Sequence, residues 1–358
     1  MRVVRVRTTV LAAVALLAVA ACSEPPTRPE TSPNIEPAEA VATDLRWFRW
    51  PFVQPTPPGP AVLVGAGDIA SCDPAYKDEA TAALLGQIDG TVIAVGDEAY
   101  QSGTPMEFSE CYHPSWGTYK SRTRPTPGNH EYLTPAAAGY FEYFGPSANP
   151  PFGYYSYNLG SWHVVVLNST PQVYLCYPPE ADEADPLITL IPSAPPLPPG
   201  VEPSPAVGRA CAGDLVQQAW LFADLAKHRR DRCTIVYFHH PRFSSARHGN
   251  HYQMQRIWDI LYHFRADVVI SAHDHVYERF APQDPNGRRD TRRGIRQFTV
   301  GTGGAPLYQF ETIQPNSEVR NNDSHGVIKL TLRDRGYDWE FVPVAGRTFT
   351  DSGSGDCH

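Results

Sequence analysis

Thr91-Val92-Ile93-Ala94-Val95-Gly96-Asp97-Glu98-Ala99-Tyr100 opens with a short apolar run and breaks at a glycine followed at once by a carboxylate. The run has the length of a buried strand, and the Gly-Asp step ends it. The same pattern recurs along the chain. Residues 61–64 run into Gly65-Ala66-Gly67-Asp68, residues 233–238 into His239-His240-Pro241, and residues 267–271 into Ala272-His273-Asp274-His275. Residues 162–167 and 296–300 are further strands, the second ending in Gly301-Thr302-Gly303-Gly304. Between them, residues 78–88 (Ala82, Leu85, Ile88), 214–228 (Leu215, Ala219, Phe222, Leu225) and 252–264 carry helical spacing. Residues 327–332 and 337–342 alternate around Arg335-Gly336, which predicts a hairpin. Strands alternating with helices imply α/β layers, and such sheets place their sites beyond the strand C-termini.

The N-terminus reads as a targeting segment. Arg2, Arg5 and Arg7 precede a small, apolar stretch over residues 8–21, too short to span a bilayer as a helix. This predicts a signal peptide over residues 1–21, and Val19-Ala20-Ala21-Cys22 looks like a bacterial lipobox in which Cys22 is lipidated. The protein would then be exported and held on the cell surface or the periplasmic side of a membrane by its anchor alone. Without Cys22, six cysteines remain, an even number that suits disulfides in an exported chain. Six cysteines allow fifteen pairings; Cys72–Cys111, Cys176–Cys211 and Cys233–Cys357 is the set expected. Residues 22–58, rich in Pro, Glu, Thr and Ser, predict a tether, interrupted by Trp47, Phe48, Trp50 and Phe52. Residues 171–212 are proline-rich and form an insertion within a domain over 59–345, either a lid or decoration. Residues 346–358 are expected as a C-terminal tail. Net charge is −8 with no extended basic patch, which argues against nucleic acid as the main partner. Nothing in the sequence fixes an oligomeric state.

Seven of the thirteen histidines fall in four short segments: His130, His239 with His240, His248 with His251, and His273 with His275. Together with Asp68, Asp97, Tyr100 and Asn129 they offer carboxylate, phenolate, amide and imidazole donors, a mixture able to hold two metal ions. Two metals about 3.5–4 Å apart clamp the attacking and leaving oxygens of an in-line displacement and acidify bound water to hydroxide. That chemistry suits phosphate esters. No G-x-S-x-G elbow or plausible cysteine nucleophile supports a covalent route.

At these residues the chain resembles the calcineurin-like metallophosphoesterase superfamily and, within it, the purple acid phosphatases. The resemblance rests on five motifs in order: Gly67-Asp68-Ile69-Ala70, Gly96-Asp97-Glu98-Ala99-Tyr100, Gly128-Asn129-His130-Glu131, Val236-Tyr237-Phe238-His239 and Ala272-His273-Asp274-His275. It implies a four-layer αββα sandwich in a single catalytic domain. It implies a ferric ion on Asp68, Asp97, Tyr100 and His275, and Zn, Mn or ferrous iron on Asp97, Asn129, His239 and His273. His130 would assist the leaving group, with His248 and His251 as further catalytic histidines facing the substrate. Most of the superfamily carries Asp-x-His in the first motif; Ala70 stands in place of that histidine, which favours the tyrosine-liganded subgroup. His240 and Arg242 are placed at the substrate, though each has a bland reading, a strand cap or a surface role. The implied activity is hydrolysis of phosphate monoesters by hydroxide. The alternatives are a diesterase acting on nucleotides or phospholipid head groups, or a metal- or phosphate-binding lipoprotein without turnover.

Overall fold

The structure, a computed structural model, describes residues 60–171, 212–229 and 233–358. The signal segment, Cys22, the tether with its aromatics, and the insertion with Cys176 and Cys211 lie outside them. Strands β1 (Ala61–Ala66), β2 (Thr91–Val95), β3 (Thr123–Thr126), β11 (Gly326–Arg333), β12 (Gly336–Pro343) and β13 (Ser352–Asp356) form a six-stranded sheet in the order β13-β12-β11-β1-β2-β3. Strands β4 (Tyr155–Leu159), β5 (Trp162–Val166), β6 (Cys233–Tyr237), β7 (Val268–Ser271), β8 (Tyr277–Phe280), β9 (Arg296–Val300) and β10 (Ser317–Asn321) form a seven-stranded one in the order β10-β8-β9-β7-β6-β5-β4. The central strands β1-β2-β3 and β5-β6-β7-β9 are parallel. Antiparallel strands flank them.

The period of two along a strand explains the unbroken apolar runs. Val164 and Val166, Ile235 and Tyr237, and Val268 and Ile270 enter a core shared with Leu63, Ile93, Leu330 and Phe341 of the other sheet. Their alternates Val165, Val236 and Val269 enter a second core with Leu221 and Leu225 of α3 (Ala212–His228) and Ile257, Trp258 and Leu261 of α4 (Gln255–His263). Helix α1 (Asp78–Leu85) lays Ala82, Leu84 and Leu85 on the six-stranded sheet. The layers therefore run helix, sheet, sheet, helix, as the resemblance implied. Strands covered on both faces read as continuous apolar sequence.

Several elements carry no apolar pattern. Strand β3 is Thr-Arg-Pro-Thr and sits at a sheet edge, where proline is tolerated. Residues 346–358, expected as a tail, are drawn into the domain. There β13 pairs with β12, and Gly353 lies so close to the Trp339 ring that a Cβ would come within 2.4 Å of it. The helix expected over 252–264 divides into a turn at Tyr252–Met254 and α4, and a short helix α2 (Ala138–Phe144) was not foreseen.

Cys72–Cys111 and Cys233–Cys357 are bonded. The second closes a loop with a sequence separation of 124 and ties the last strand region to the start of β6. Long loops give the unfolded chain the most freedom to lose. The double variant Cys233→Ser/Cys357→Ser is expected to lose about 2–5 kcal/mol of stability, read from urea unfolding. An unchanged midpoint would show the bond to be energetically idle.

A candidate metal centre at the strand ends

The loops after β1 and β2 continue side by side beyond their strands. Asp68 N donates to Gly96 O at 3.0 Å, Ile69 N to Asp97 O at 2.9 Å, Ala70 N to Glu98 O at 3.0 Å, and Tyr100 N to Ala70 O at 2.8 Å. This ladder brings Asp68, Asp97 and Tyr100 to one place. Asp68, Asp97 and His273 have φ of 58°, 51° and 67°. A non-glycine residue in that region is strained and persists only where its surroundings hold it. The glycines are steric necessities: a Cβ on Gly96 would lie 2.5 Å from His239 Nδ1, and one on Gly128 would lie 2.1 Å from Asp97 Oδ1.

Tyr100 Oη lies 3.0 Å from Asp68 Oδ1, 3.2 Å from Asp97 Oδ2 and 3.2 Å from His275 Nε2. His275 Nε2 is 3.3 Å from Asp68 Oδ1. His239 Nε2 lies 3.1 Å from the same Asp97 Oδ2, and His273 Nδ1 lies 3.3 Å from His239 Nε2. Asn129 Oδ1 is buried and meets no partner among the described residues. His239 Nδ1 faces the Val95 carbonyl at 2.9 Å and His275 Nδ1 the Pro306 carbonyl at 2.8 Å. A carbonyl only accepts, so each Nδ1 carries a proton and each ring turns its Nε2 to a carboxylate. Imidazole nitrogen beside carboxylate is a donor set suited to a cation, which would take the place of an Nε2 proton, and the Nδ1–carbonyl bond is the usual support behind a metal-bound histidine.

Electrostatics agree. Burial, then the neighbouring His240, His248, His239 and His251, holds His273 well below the usual histidine range and therefore neutral. Burial opposes charge on His239 as well, but the Asp97 and Asp68 carboxylates raise it to about 9. Burial, then Asp68 and Asp97, pushes the Tyr100 phenol well above its ordinary value. A bound cation reverses that balance for a phenol.

Of the expected flank residues, His130 turns Nε2 to Asp97 Oδ2 at 3.9 Å and anchors Nδ1 on Gln101 O at 2.6 Å. The rings of His248, His251 and His240 surround His273 at 4.3, 5.1 and 4.4 Å. His251 Nε2 is buried and meets no partner among the described residues. His240 binds the Ser169 hydroxyl through Nδ1 at 2.8 Å, so of the two adjacent histidines it is His239 that faces the carboxylates. Arg242, placed at the substrate from sequence, is instead engaged behind the site. Its buried guanidinium donates to Gln255 Oε1 and Pro285 O between the rings of Phe243 and Tyr252. Gly301 and Gly303 N–H groups donate to Val276 and Gly67 carbonyls, so they serve the turn.

Sequence reasoning gave no role to Tyr308, Asp274 or Glu131. The Tyr308 ring stacks on His275 at 3.9 Å, and Asp274 holds the His248 N–H at 3.0 Å. No local pattern announces either. The buried Glu131 accepts the N–H groups of Asp97 at 3.0 Å, Glu98 at 2.8 Å and Gly128 at 2.8 Å. It thereby binds the second and third motif loops together. Glu131→Ala would strand these donors without water. A stability loss of about 3 kcal/mol or more is expected, read as a fall in melting temperature. A change within ordinary surface-substitution range would refute that role.

A family model described as calcineurin-like phosphoesterase matches residues 55–277. Purple acid phosphatase 18 of Arabidopsis thaliana is 37% identical over 93 residues, covering 25% of this chain and 21% of that protein. From the same plant, a protein described as probable inactive purple acid phosphatase 1 is 27% identical over 129 residues, 34% of this chain and 20% of its own length. The chain thus spans about a fifth of the length of these relatives. Among solved structures, a purple acid phosphatase from yellow lupin (Lupinus luteus) seeds superposes with a TM-score of 0.52 at 16% identity, covering 82% of this chain and 53% of that one.

Proposed function

Because the chain belongs to the calcineurin-like phosphoesterase family, we propose that it hydrolyses phosphate monoesters at a centre for two metal ions. Asp68, Asp97, Tyr100 and His275 would hold a ferric ion. Asp97, Asn129, His239 and His273 would hold zinc, manganese or ferrous iron, with Asp97 common to both. The observation that carries the reading is the convergence of Tyr100 Oη, Asp68 Oδ1, Asp97 Oδ2 and His275 Nε2 within 3.0–3.3 Å contacts of one another. The buried Asn129 Oδ1, without a partner among the described residues, supports the second position. Two such ions, when bound, neutralise charge on the phosphoryl group and lower the pKa of water.

The chain's own side chains supply the rest. His130, with Nδ1 tied to Gln101, keeps Nε2 pointed across Asp97, where a proton can pass to the leaving oxygen. His248 and His251, packed on His273, bind phosphoryl oxygens, and the buried Nε2 of His251 is free of competing partners among the described residues. His240 lines the same wall, and Arg242 steadies it from behind.

The substrate class is tested by kcat/KM on an aryl phosphate monoester and the matching diester with defined metals. A strong monoester preference supports this reading. A diester preference moves the substrate to nucleotide diesters or phospholipid head groups, and cleavage of neither by folded, metal-loaded protein overturns it.

Two disulfides among the described residues fit folding in an oxidising compartment. We place the domain outside the cytoplasm on a lipid anchor at Cys22. Cys22→Ser is expected to move the protein from the membrane fraction to the soluble one; an unchanged distribution would remove the anchor.

A further inference from the structure

A second cluster of metal-binding side chains lies at the opposite end of the parallel strands from His239. His163 is the second residue of β5, beside Thr234 at the start of β6. Its neighbours Trp162 and Val164 face the inter-sheet core while Val165 faces the helices, so His163 points to α3. There Asp224 and His228 stand four residues apart on one helical face. His163 Nε2 lies 2.7 Å from Asp224 Oδ2, and the His228 ring lies parallel to the His163 ring at 3.9 Å. One donor atom from each of His163, Asp224 and His228 falls within 4.8 Å of the others.

We propose that His163, Asp224 and His228 form a further divalent-cation site of zinc type, separate from the strand-end centre. Two imidazoles and a carboxylate are the donors such an ion takes, with a fourth position left to water. An i, i+4 pair on a helix is a recurrent way to present two of them. The outer contacts match what supports metal ligands: Asn158 Oδ1 lies 3.0 Å from His163 Nδ1, and the Ser156 hydroxyl donates to Asp224 Oδ1 at 2.9 Å. His163 Nε2 thus meets the Asp224 carboxylate at hydrogen-bond distance, and a cation would take the place of the proton between them. Burial works against charge on Asp224, but the bonds from His163 and Ser156 hold its carboxyl below the ordinary range, so it is ionised. Donors about 2.1 Å from a tetrahedral ion stand roughly 3.4 Å apart. The His163–Asp224 contact of 2.7 Å lies below that spacing and the 4.8 Å limit on the set above it, so small side-chain shifts in both senses would fit an ion.

The test is equilibrium dialysis of the purified chain against Zn²⁺ alone, beside His228→Ala and Asp224→Asn, with folding checked by circular dichroism. Each folded variant is expected to bind one equivalent less than the parent and to lose part of the zinc-dependent rise in melting temperature. The difference between parent and variant is read whatever the strand-end centre holds, so it stands apart from the phosphoesterase reading. Unchanged stoichiometry in a folded His228→Ala protein overturns the site and leaves a hydrogen-bonded Asp–His pair stacked on a histidine. Should Asp224→Asn fail to fold, His228→Ala decides alone, because that side chain is at the surface edge of α3.

Discussion

Asp97→Asn is expected to remove turnover while the protein still folds. Asp97 is the hub of the strand-end centre: Oδ2 meets Tyr100 and His239 at 3.2 and 3.1 Å, and Oδ1 accepts the His130 N–H at 2.9 Å. An asparagine keeps the shape and the acceptor for His130 but removes the charge that both proposed metal positions would share. Lewis-acid stabilisation is worth several kcal/mol, so kcat/KM should fall on the order of 10³-fold or more. Bound metal should fall with it. In chelator the melting temperature should fall somewhat while the fold survives. Burial opposes charge on Asp97, but His239 and His130 outweigh it and hold the carboxyl below its ordinary range, an attraction the variant loses. Retention of parental kcat/KM would refute the assignment of Asp97, and unfolding would show it to be structural instead.

His130→Ala is expected to lower kcat by about 10²–10⁴-fold with metal content unchanged, the range for a positioned proton donor. The ring is partly exposed, with its side chain 25% accessible, so the fold should tolerate the loss. The informative readout is dependence on the leaving group. An alkyl phosphate leaves as a strong base and needs a proton; a nitrophenyl phosphate leaves as a weak base and needs it far less. The loss should therefore be much larger for the alkyl ester. An equal loss for both would make His130 a binding residue and not a proton donor.

The parts of this architecture legible in the sequence are those where local pattern and burial coincide. β2, β6 and β7 are covered on both faces, so their sequences are nearly all apolar, and the site residues stand where those runs stop. The edges were illegible for the opposite reason. β3 and β13 are held by backbone pairing to β2 and β12, which asks nothing of their side chains beyond a tolerated proline or a glycine under Trp339. Arg242 stands one residue beyond His240-Pro241 and so read as a substrate contact; its partners Gln255 and Pro285 are distant in sequence. Tyr308 and the His163–Asp224–His228 cluster depend on contacts across strands and loops, which spacing along the chain does not record. Only the Asp224–His228 interval carries a helical signal, and without His163 it reads as an ordinary exposed helix face.

The most direct measurement is kcat/KM toward an aryl phosphate monoester as defined metals are returned to chelator-stripped, folded protein, with bound metal counted at each step in the His228→Ala background. Activity that appears only as the second equivalent binds, and that Asp97→Asn fails to recover, is the expected result. A folded protein that takes up two equivalents and cleaves no ester, or one that is fully active with none, would contradict a binuclear metal phosphoesterase.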